Sequence, residues 1–168
     1  IVLAEAHALT HDNRVGKAAQ DAIYFIENAQ TPSHGGWRYV PKSETGDTSV
    51  VGWQVMALKS AQMGGLKVKP QTLEGAKKFL KSVSSGQKGG LFGYASPGPT
   101  PTMTAVGLLC QQYMGALRGD EGIREGVELI KKNPPSLNYR NAYYWYYATQ
   151  VMHNMQGAEW DRWNREMR

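Results

Sequence analysis

The sequence has 168 residues, of which 41% are hydrophobic and 20% charged, and its formal net charge is +5. This length suits one domain with a sizeable core, and the composition excludes a mainly disordered chain. No run approaches the roughly 18 apolar residues of a membrane span. The basic residues are dispersed, so no nucleic-acid partner is expected. We expect a soluble domain without a targeting segment of its own, and the composition leaves its compartment open.

Apolar periodicity, glycine stops and capping residues predict a chain of helices. The predicted spans are residues 2–11, 15–30, 47–63, 70–84, 102–117, 120–132, 140–156 and 158 to the end. No alternating pattern longer than a few positions predicts a strand, and residues 37–40 are interpreted as a connector. Residues 50–63 and 104–115 are almost free of charge, whereas the helix ending at Ser84 carries charge on one side. The sequence therefore predicts an all-α fold with an inner and an outer helix layer.

The chain contains an imperfect internal repeat. The segment Gly35-Gly36-Trp37 recurs as Gly89-Gly90-Leu91, 54 residues later, and each copy follows a helical phenylalanine at the same spacing. A third copy has lost the Gly-Gly pair in its connector, Asn133 to Tyr139, but its returning helix at 145–157 aligns without gaps on 53–65. The repeating unit is a helix, a connector containing Gly and Pro, and a second helix. Because the array looks cut at both ends, we expect the chain to be an excerpt of a longer protein.

The element Gln30, Gly36, Trp37 resembles the glutamine–tryptophan repeat of squalene-hopene and oxidosqualene cyclases, with one extra residue between Gln and Trp. That repeat belongs to the α/α-toroid superfamily, which includes protein prenyltransferase β-subunits and complement-like thioester domains. The chain is also similar to bacterial prenyltransferase or squalene-oxidase repeat proteins. The resemblance follows the repeat through nearly the whole chain and is sharp only over residues 30–65. It implies one terpenoid cyclase/prenyltransferase-like domain over residues 1–168, an α/α-toroid-like array of about four αα-hairpins.

The chemistries of that superfamily each need residues that this chain lacks. Squalene-hopene cyclases protonate their substrate with the middle Asp of an Asp-x-Asp-Asp-Thr-Ala motif. Here Asp47 and Thr48 match its last Asp and its Thr, whereas Gly46 stands at the proton donor and only Glu44 represents the first acid. The prenyltransferase zinc site needs Asp, Cys and His, but Cys110 is the only cysteine and has no His pattern near it. The Cys-Gly-Glu-Gln sequence of thioester domains is absent as well.

No metal site or cofactor is expected. His7 and His11 have the i, i+4 spacing that can hold a metal on one helix face, but no third ligand is identifiable, and surface or packing roles are preferred. Cys110 lies in an apolar helical stretch, which favours a small buried residue over a reactive thiol.

The candidate catalytic residues are Asp47 and Glu44, and Asp47 is alternatively the N-cap of the helix that follows it. The candidate ligand-binding residues are aromatic, and they would line either an apolar or a sugar-binding cavity unless they serve core packing. They are Trp37, Tyr39, Trp53, Tyr144 and Trp145. The proline-rich stretch from Gly93 to Thr102 is either a shaped rim loop or a plain turn whose hydroxyls cap the next helix.

The leading hypothesis is a non-catalytic or degenerate squalene-cyclase-like domain that binds a protein partner or an apolar small molecule. It follows from a well-kept scaffold motif without the acid or metal residues. The alternative is an enzyme, either of the isoprenoid cyclase/prenyltransferase type using Asp47 and Glu44, or a polysaccharide-acting α/α toroid using the aromatic residues as sugar platforms.

Overall fold

The computed structural model describes residues 1–138 and 140–168. Tyr139, the last residue of the predicted third connector, lies outside the described residues. Within them the chain forms eight α-helices, and this confirms the predicted all-α fold and every predicted helix. The helices are α1 (Val2–Thr10), α2 (Asn13–Ala29), α3 (Thr48–Met63), α4 (Pro70–Val83), α5 (Pro101–Tyr113), α6 (Glu121–Lys131), α7 (Ala142–Met155) and α8 (Gly157–Glu166). None of these described helices is long and apolar enough to cross a membrane.

A short strand pair was not predicted. Strands β1 (Ser84–Ser85) and β2 (Leu91–Phe92) pair antiparallel, with Ser84 opposite Phe92. Each strand has two residues, which is too short to leave an alternating pattern in the sequence. The chain turns back between them through Gly86 and Gly89, whose φ angles of 92° and 71° favour glycine.

The helices α3, α5 and α7 begin with the same capping geometry. Asp47, Thr100 and Asn141 are the three N-cap residues. In each case the side-chain oxygen accepts a hydrogen bond from the backbone N–H three residues later, at 2.9, 3.1 and 2.9 Å respectively. The interpretation of Asp47 as an N-cap is therefore confirmed, and of the hydroxyls that end the proline-rich connector that of Thr100 has the expected capping role.

The chain divides into two compact units, Ile1–Phe79 and Leu80–Arg168. In unit 1, helices α1, α2 and α3 pack on one another, and small residues allow their close approach. Ala57 and Ala61 of α3 are buried together with the larger Val55 and Leu58. Only about one face of α2 is buried, and besides three small or apolar residues that face includes Glu27.

In unit 2, α7 packs extensively on α5, and α6 and the strand β2 also contact α5. Seven consecutive residues of α5, from Thr104 to Cys110, are buried. This agrees with the expectation drawn from the lack of charge in that segment. Ring atoms of Phe92 occupy the space that a side chain at Gly107 would need, so β2 lies directly on the helix. Trp163 of α8 is also buried, and its indole N–H donates to Thr149 at 2.9 Å.

Candidate functional site

Each Gly-Gly pair of the repeat lies where its connector meets the second helix after it, α4 for the first pair and α6 for the second. Gly35 and Gly89 both have left-handed backbones, with φ angles of 77° and 71°. A side chain at Gly35 would overlap the carbonyl of Gly75 in α4, and one at Gly90 would overlap the carbonyl of Gly122 in α6. Both connectors therefore need glycine, because backbone approaches backbone.

Gln30, the glutamine of the cyclase-like element, forms hydrogen bonds to the backbone. The Gln30 amide donates to the carbonyl oxygens of Gly35 and Thr72, both at 2.8 Å. The Trp37 indole N–H donates to the carbonyl of Ile26 at 2.8 Å, and only 3% of Trp37 is exposed. Gln30 thus joins the first connector to α4, and Trp37 joins it to α2.

Asp47 is fully buried, with 0% exposure. Its Oδ1 accepts hydrogen bonds from the Ser49 hydroxyl at 2.5 Å and from the Val50 N–H at 2.9 Å. Its Oδ2 has no hydrogen-bond partner among the described residues, and the nearest cation is the Nε of Arg38, 4.0 Å away. A carboxylate in this setting stabilises the helix start and has no exposed oxygen to offer a substrate.

Glu44, the second candidate acid, is exposed. Its backbone carbonyl lies 3.0 Å from Nε2 of His34, whose Nδ1 accepts the Gly36 N–H at 3.1 Å. The Glu44 side chain has no contact to Asp47 in the described structure. The two carboxylates differ completely in burial and so do not form the acid pair that cyclase chemistry requires.

Three of the predicted aromatic residues line two neighbouring hollows in unit 1. The first, of about 210 Å³, is lined by Phe25, Trp37, Tyr39 and Val40 among others. The second, of about 420 Å³, is lined by Leu3 and Trp53 among others. Both hollows share Ile26 and Gln54 as lining residues, so they adjoin.

Large apolar side chains around these hollows are exposed to solvent. Tyr39 is 75% exposed, Phe25 64%, Val40 62%, Leu3 42% and Trp53 41%. We call these five residues the unit 1 apolar surface. Exposed aromatic and aliphatic residues gathered in one region are typical of interaction sites.

The remaining predicted aromatic residues, Tyr144 and Trp145, line one cavity of about 530 Å³ in unit 2. Tyr144 is buried, and its hydroxyl donates to the carbonyl of Asn133 at 2.7 Å. Burial raises the pKa of Tyr144 above its ordinary value, which keeps the hydroxyl protonated as a donor. The cavity lies where α5 and α7 begin, because both cap residues, Thr100 and Asn141, line it as well.

Cys110 and His7 both have structural surroundings. Cys110 is buried, and desolvation raises the pKa of its thiol to about 12, so the predicted inert role fits. The His7 ring fills the space beside Gly16, and its Nδ1 lies 3.2 Å from the carbonyl of Asp12. The described residues contain no cluster of His, Cys, Asp or Glu that could hold a metal ion.

Sequence reasoning missed Glu125 of α6. Its carboxylate accepts hydrogen bonds from the backbone N–H groups of Gln87, Lys88 and Gly90 at 2.7, 3.1 and 2.9 Å. Desolvation acts to raise the pKa of Glu125, but these three bonds outweigh it and lower the pKa. A lone glutamate more than thirty residues from its partners carries no sequence signal of this role.

Comparison of the chain with protein-family models, with curated proteins and with solved structures finds no match.

Proposed function

We propose that this chain is a non-catalytic, squalene-cyclase-like binding domain whose unit 1 apolar surface receives apolar side chains of a protein partner. The observation that carries the proposal is the burial of Asp47 in a capping role. It is the one acid that the cyclase resemblance retains at the start of a helix.

The repeat itself supports the non-catalytic part. The N-cap residues of α5 and α7, Thr100 and Asn141, make the same capping bond as Asp47 without a charge. A residue that protonates a substrate must reach it and must hold a tuned acidic proton. Asp47 is 0% exposed, so a substrate has no access to it, and its Oδ1 already accepts two hydrogen bonds at the start of α3.

The unit 1 apolar surface supports the binding part. Three of its five members are aromatic, a residue class that is enriched where proteins bind one another. Trp and Tyr in particular are frequent among the residues that contribute most binding free energy. The adjoining hollows beside Phe25 and Trp53 would each accept a separate apolar side chain of the partner.

A protein partner suits this surface better than an apolar small molecule. Small-molecule sites usually cover about 70–90% of the ligand surface. Side chains that are 41–75% exposed around open hollows would leave such a ligand largely in water. A protein surface can cover both hollows and the side chains between them at once.

The test is selection of binding peptides from a random displayed library on the immobilised protein. We expect selected peptides to carry two large apolar residues, and their affinity to fall at least about tenfold for Phe25→Ser and for Trp53→Ser. Met63→Ser is the matched control, because Met63 is 76% exposed and outside the surface. Its binding should equal that of the wild type.

Three outcomes would overturn the proposal. Self-association of the chain that Phe25→Ser abolishes would mean that the surface serves a second copy. Turnover of squalene or farnesyl diphosphate by the wild type that Asp47→Asn removes would mean that Asp47 is a catalytic acid. Failure to select any peptide that depends on Phe25 or Trp53 would also count against a protein partner.

A further inference from the structure

The cavity beside Tyr144 and Trp145 in unit 2 has a different chemistry from the unit 1 apolar surface. Its volume of about 530 Å³ lies within the range of about 300–1,000 Å³ that small-molecule sites occupy. The described lining residues comprise two aromatic rings, two prolines and five side chains with hydroxyl or amide groups, and none of them is charged.

The hydroxyl groups in the lining retain hydrogen-bonding capacity. The Thr100 oxygen accepts the Met103 N–H at 3.1 Å, and the Thr102 oxygen accepts the Asn141 amide at 3.3 Å. Each of these bonds uses an oxygen lone pair and leaves the hydroxyl hydrogen available. In the part of the chain that the structure describes, neither hydroxyl hydrogen has an acceptor. Both can therefore donate to a ligand.

Acceptors are available on the other side of the cavity. The Asn133 amide nitrogen donates to the carbonyl of Leu129 at 2.8 Å, which fixes the side chain and leaves its oxygen without a described partner. The Ser136 hydroxyl accepts the Asn138 N–H at 3.3 Å and keeps its own hydrogen. The site thus presents both donors and acceptors on side chains that other bonds already orient.

The apolar part of the lining is Trp145 together with Pro101 and Pro134. Trp145 is partly exposed, and its indole N–H has no acceptor among the described residues. An indole combines a large apolar face with one polar donor, so it can pack on C–H groups while its edge forms a hydrogen bond.

From these groups we propose that the cavity binds a neutral carbohydrate unit. Sugar hydroxyls both donate and accept hydrogen bonds, as the threonine, serine and asparagine side chains of the lining do. The C–H face of a sugar ring is apolar and suits the Trp145 indole. Binding here is independent of the proposed partner site, because no lining residue belongs to the unit 1 apolar surface.

Two other ligand classes fit the cavity less well. A phosphorylated or carboxylated ligand would call for Lys or Arg, and the described lining contains neither. A proline-rich peptide would pack on Trp145 and the prolines, but its backbone supplies mainly acceptors. It would leave the acceptor oxygen of Asn133 without a donor.

The test is saturation-transfer difference NMR on the whole chain with a panel of neutral oligosaccharides of glucose, xylose, mannose and N-acetylglucosamine, followed by titration. We expect at least one to bind with a millimolar or tighter Kd. Trp145→Ala should weaken that binding at least about tenfold, and Ser136→Ala about threefold. Trp53→Ala, which removes a member of the unit 1 apolar surface, should leave it unchanged.

Ser136 is exposed, so Ser136→Ala keeps the test valid if Trp145→Ala fails to fold. Absence of binding by the whole panel would overturn the proposal. Binding of a proline-rich peptide that Trp145→Ala abolishes would overturn it too, and so would sugar binding that responds to Trp53→Ala but not to Ser136→Ala. The two proposals are tested separately. Phe25→Ser should weaken binding of the selected peptides and leave sugar binding unchanged, so either proposal can fail while the other stands.

Discussion

The first and second connectors of the repeat, residues 30–47 and 84–100, have the same backbone design but are held by opposite chemistry. In both, a left-handed glycine precedes a glycine that packs against a later helix, α4 in the first connector and α6 in the second. In both, the N-cap N–H donates to a connector carbonyl: Asp47 to Trp37 at 3.1 Å and Thr100 to Phe92 at 3.2 Å.

The difference lies in the side chain that fastens the first connector to α4 and the second to α6. The first uses the neutral amide of Gln30, which donates to two carbonyls. The second uses the anionic carboxylate of Glu125, which accepts from three N–H groups. Both connectors thus place a Gly-Gly pair against a later helix, but the backbone contact is made by the first glycine, Gly35, in one and by the second, Gly90, in the other. The residue that secures the connector also changes in charge and in hydrogen-bond direction.

The largest expected effect is from disrupting the contact of Gly90 with the backbone of α6. Gly90→Ala should lower the free energy of unfolding by about 3 kcal/mol or more, because the new methyl group overlaps the Gly122 carbonyl. Urea denaturation would measure it. Gly119→Ala is the control, since nothing lies within 4 Å of a side chain there. An equal loss in both variants would contradict the close contact.

Gly35→Ala should be comparably severe in the first connector, with overlap at Gly75 added to a left-handed backbone. Gly65→Ala separates the two causes, because Gly65 has a φ angle of 75° and open surroundings. Urea denaturation should therefore show a smaller loss for Gly65→Ala, about 1 kcal/mol. Similar losses would mean that backbone strain, not packing, requires Gly35.

Removal of the Gln30 amide is expected to have the next largest effect on the free energy of unfolding. Gln30→Ala leaves the carbonyls of Gly35 and Thr72 without this donor, and we expect about 2 kcal/mol of lost stability at every pH. Gln71→Ala, at an exposed position in the first turn of α4, should be near neutral. Loss that depends strongly on pH would contradict the assignment.

The effect of removing the Glu125 carboxylate on the free energy of unfolding should be smaller, and it should depend on pH. Glu125 has a folded pKa below its ordinary value of about 4.3, so its contribution is complete above that value and disappears as the pH falls through the folded pKa. Glu125→Gln should lower the free energy of unfolding by about 1 kcal/mol at neutral pH. The variant should also lose less stability than the wild type as the pH falls. Thermal unfolding against pH would show it, with the exposed Glu44→Gln as control. An unchanged acid slope in Glu125→Gln would be the contrary result.

The smallest effect is expected at the shared cap. Asp47→Asn should change stability by about 0.5 kcal/mol or less, because asparagine caps helices as well as aspartate does and already caps α7. Differential scanning calorimetry can detect the change, and Asp47→Ala should cost more. A large loss in Asp47→Asn would show that the charge of Asp47 matters beyond capping.

Much of the fold could be predicted from the sequence because its signals are local. Glycine stops, the cap at Asp47 and the charge-free segments predicted the helices to within a few residues. The Gly-Gly match predicted that two connectors share one backbone design. The strand pair was missed because two residues are too few to form a pattern.

The candidate sites were only partly predictable. Tyr144 and Trp145 are adjacent in sequence, so their common cavity follows from one helix. The polar residues around them come from three separated segments, and only packing of α7 on α5 brings these together. The same applies to Glu125, whose partners lie in a distant loop.

The central claim is that the two repeat connectors share a backbone design but are held by different side chains, the donor amide of Gln30 and the acceptor carboxylate of Glu125. Native-state amide hydrogen exchange in the wild type and in Glu125→Gln tests it most directly. We predict that protection of the Gln87 and Gly90 amides falls in the variant, while protection of the Gly35 and Asp47 amides is unchanged. Equal loss in both connectors, or no loss in either, would contradict the claim.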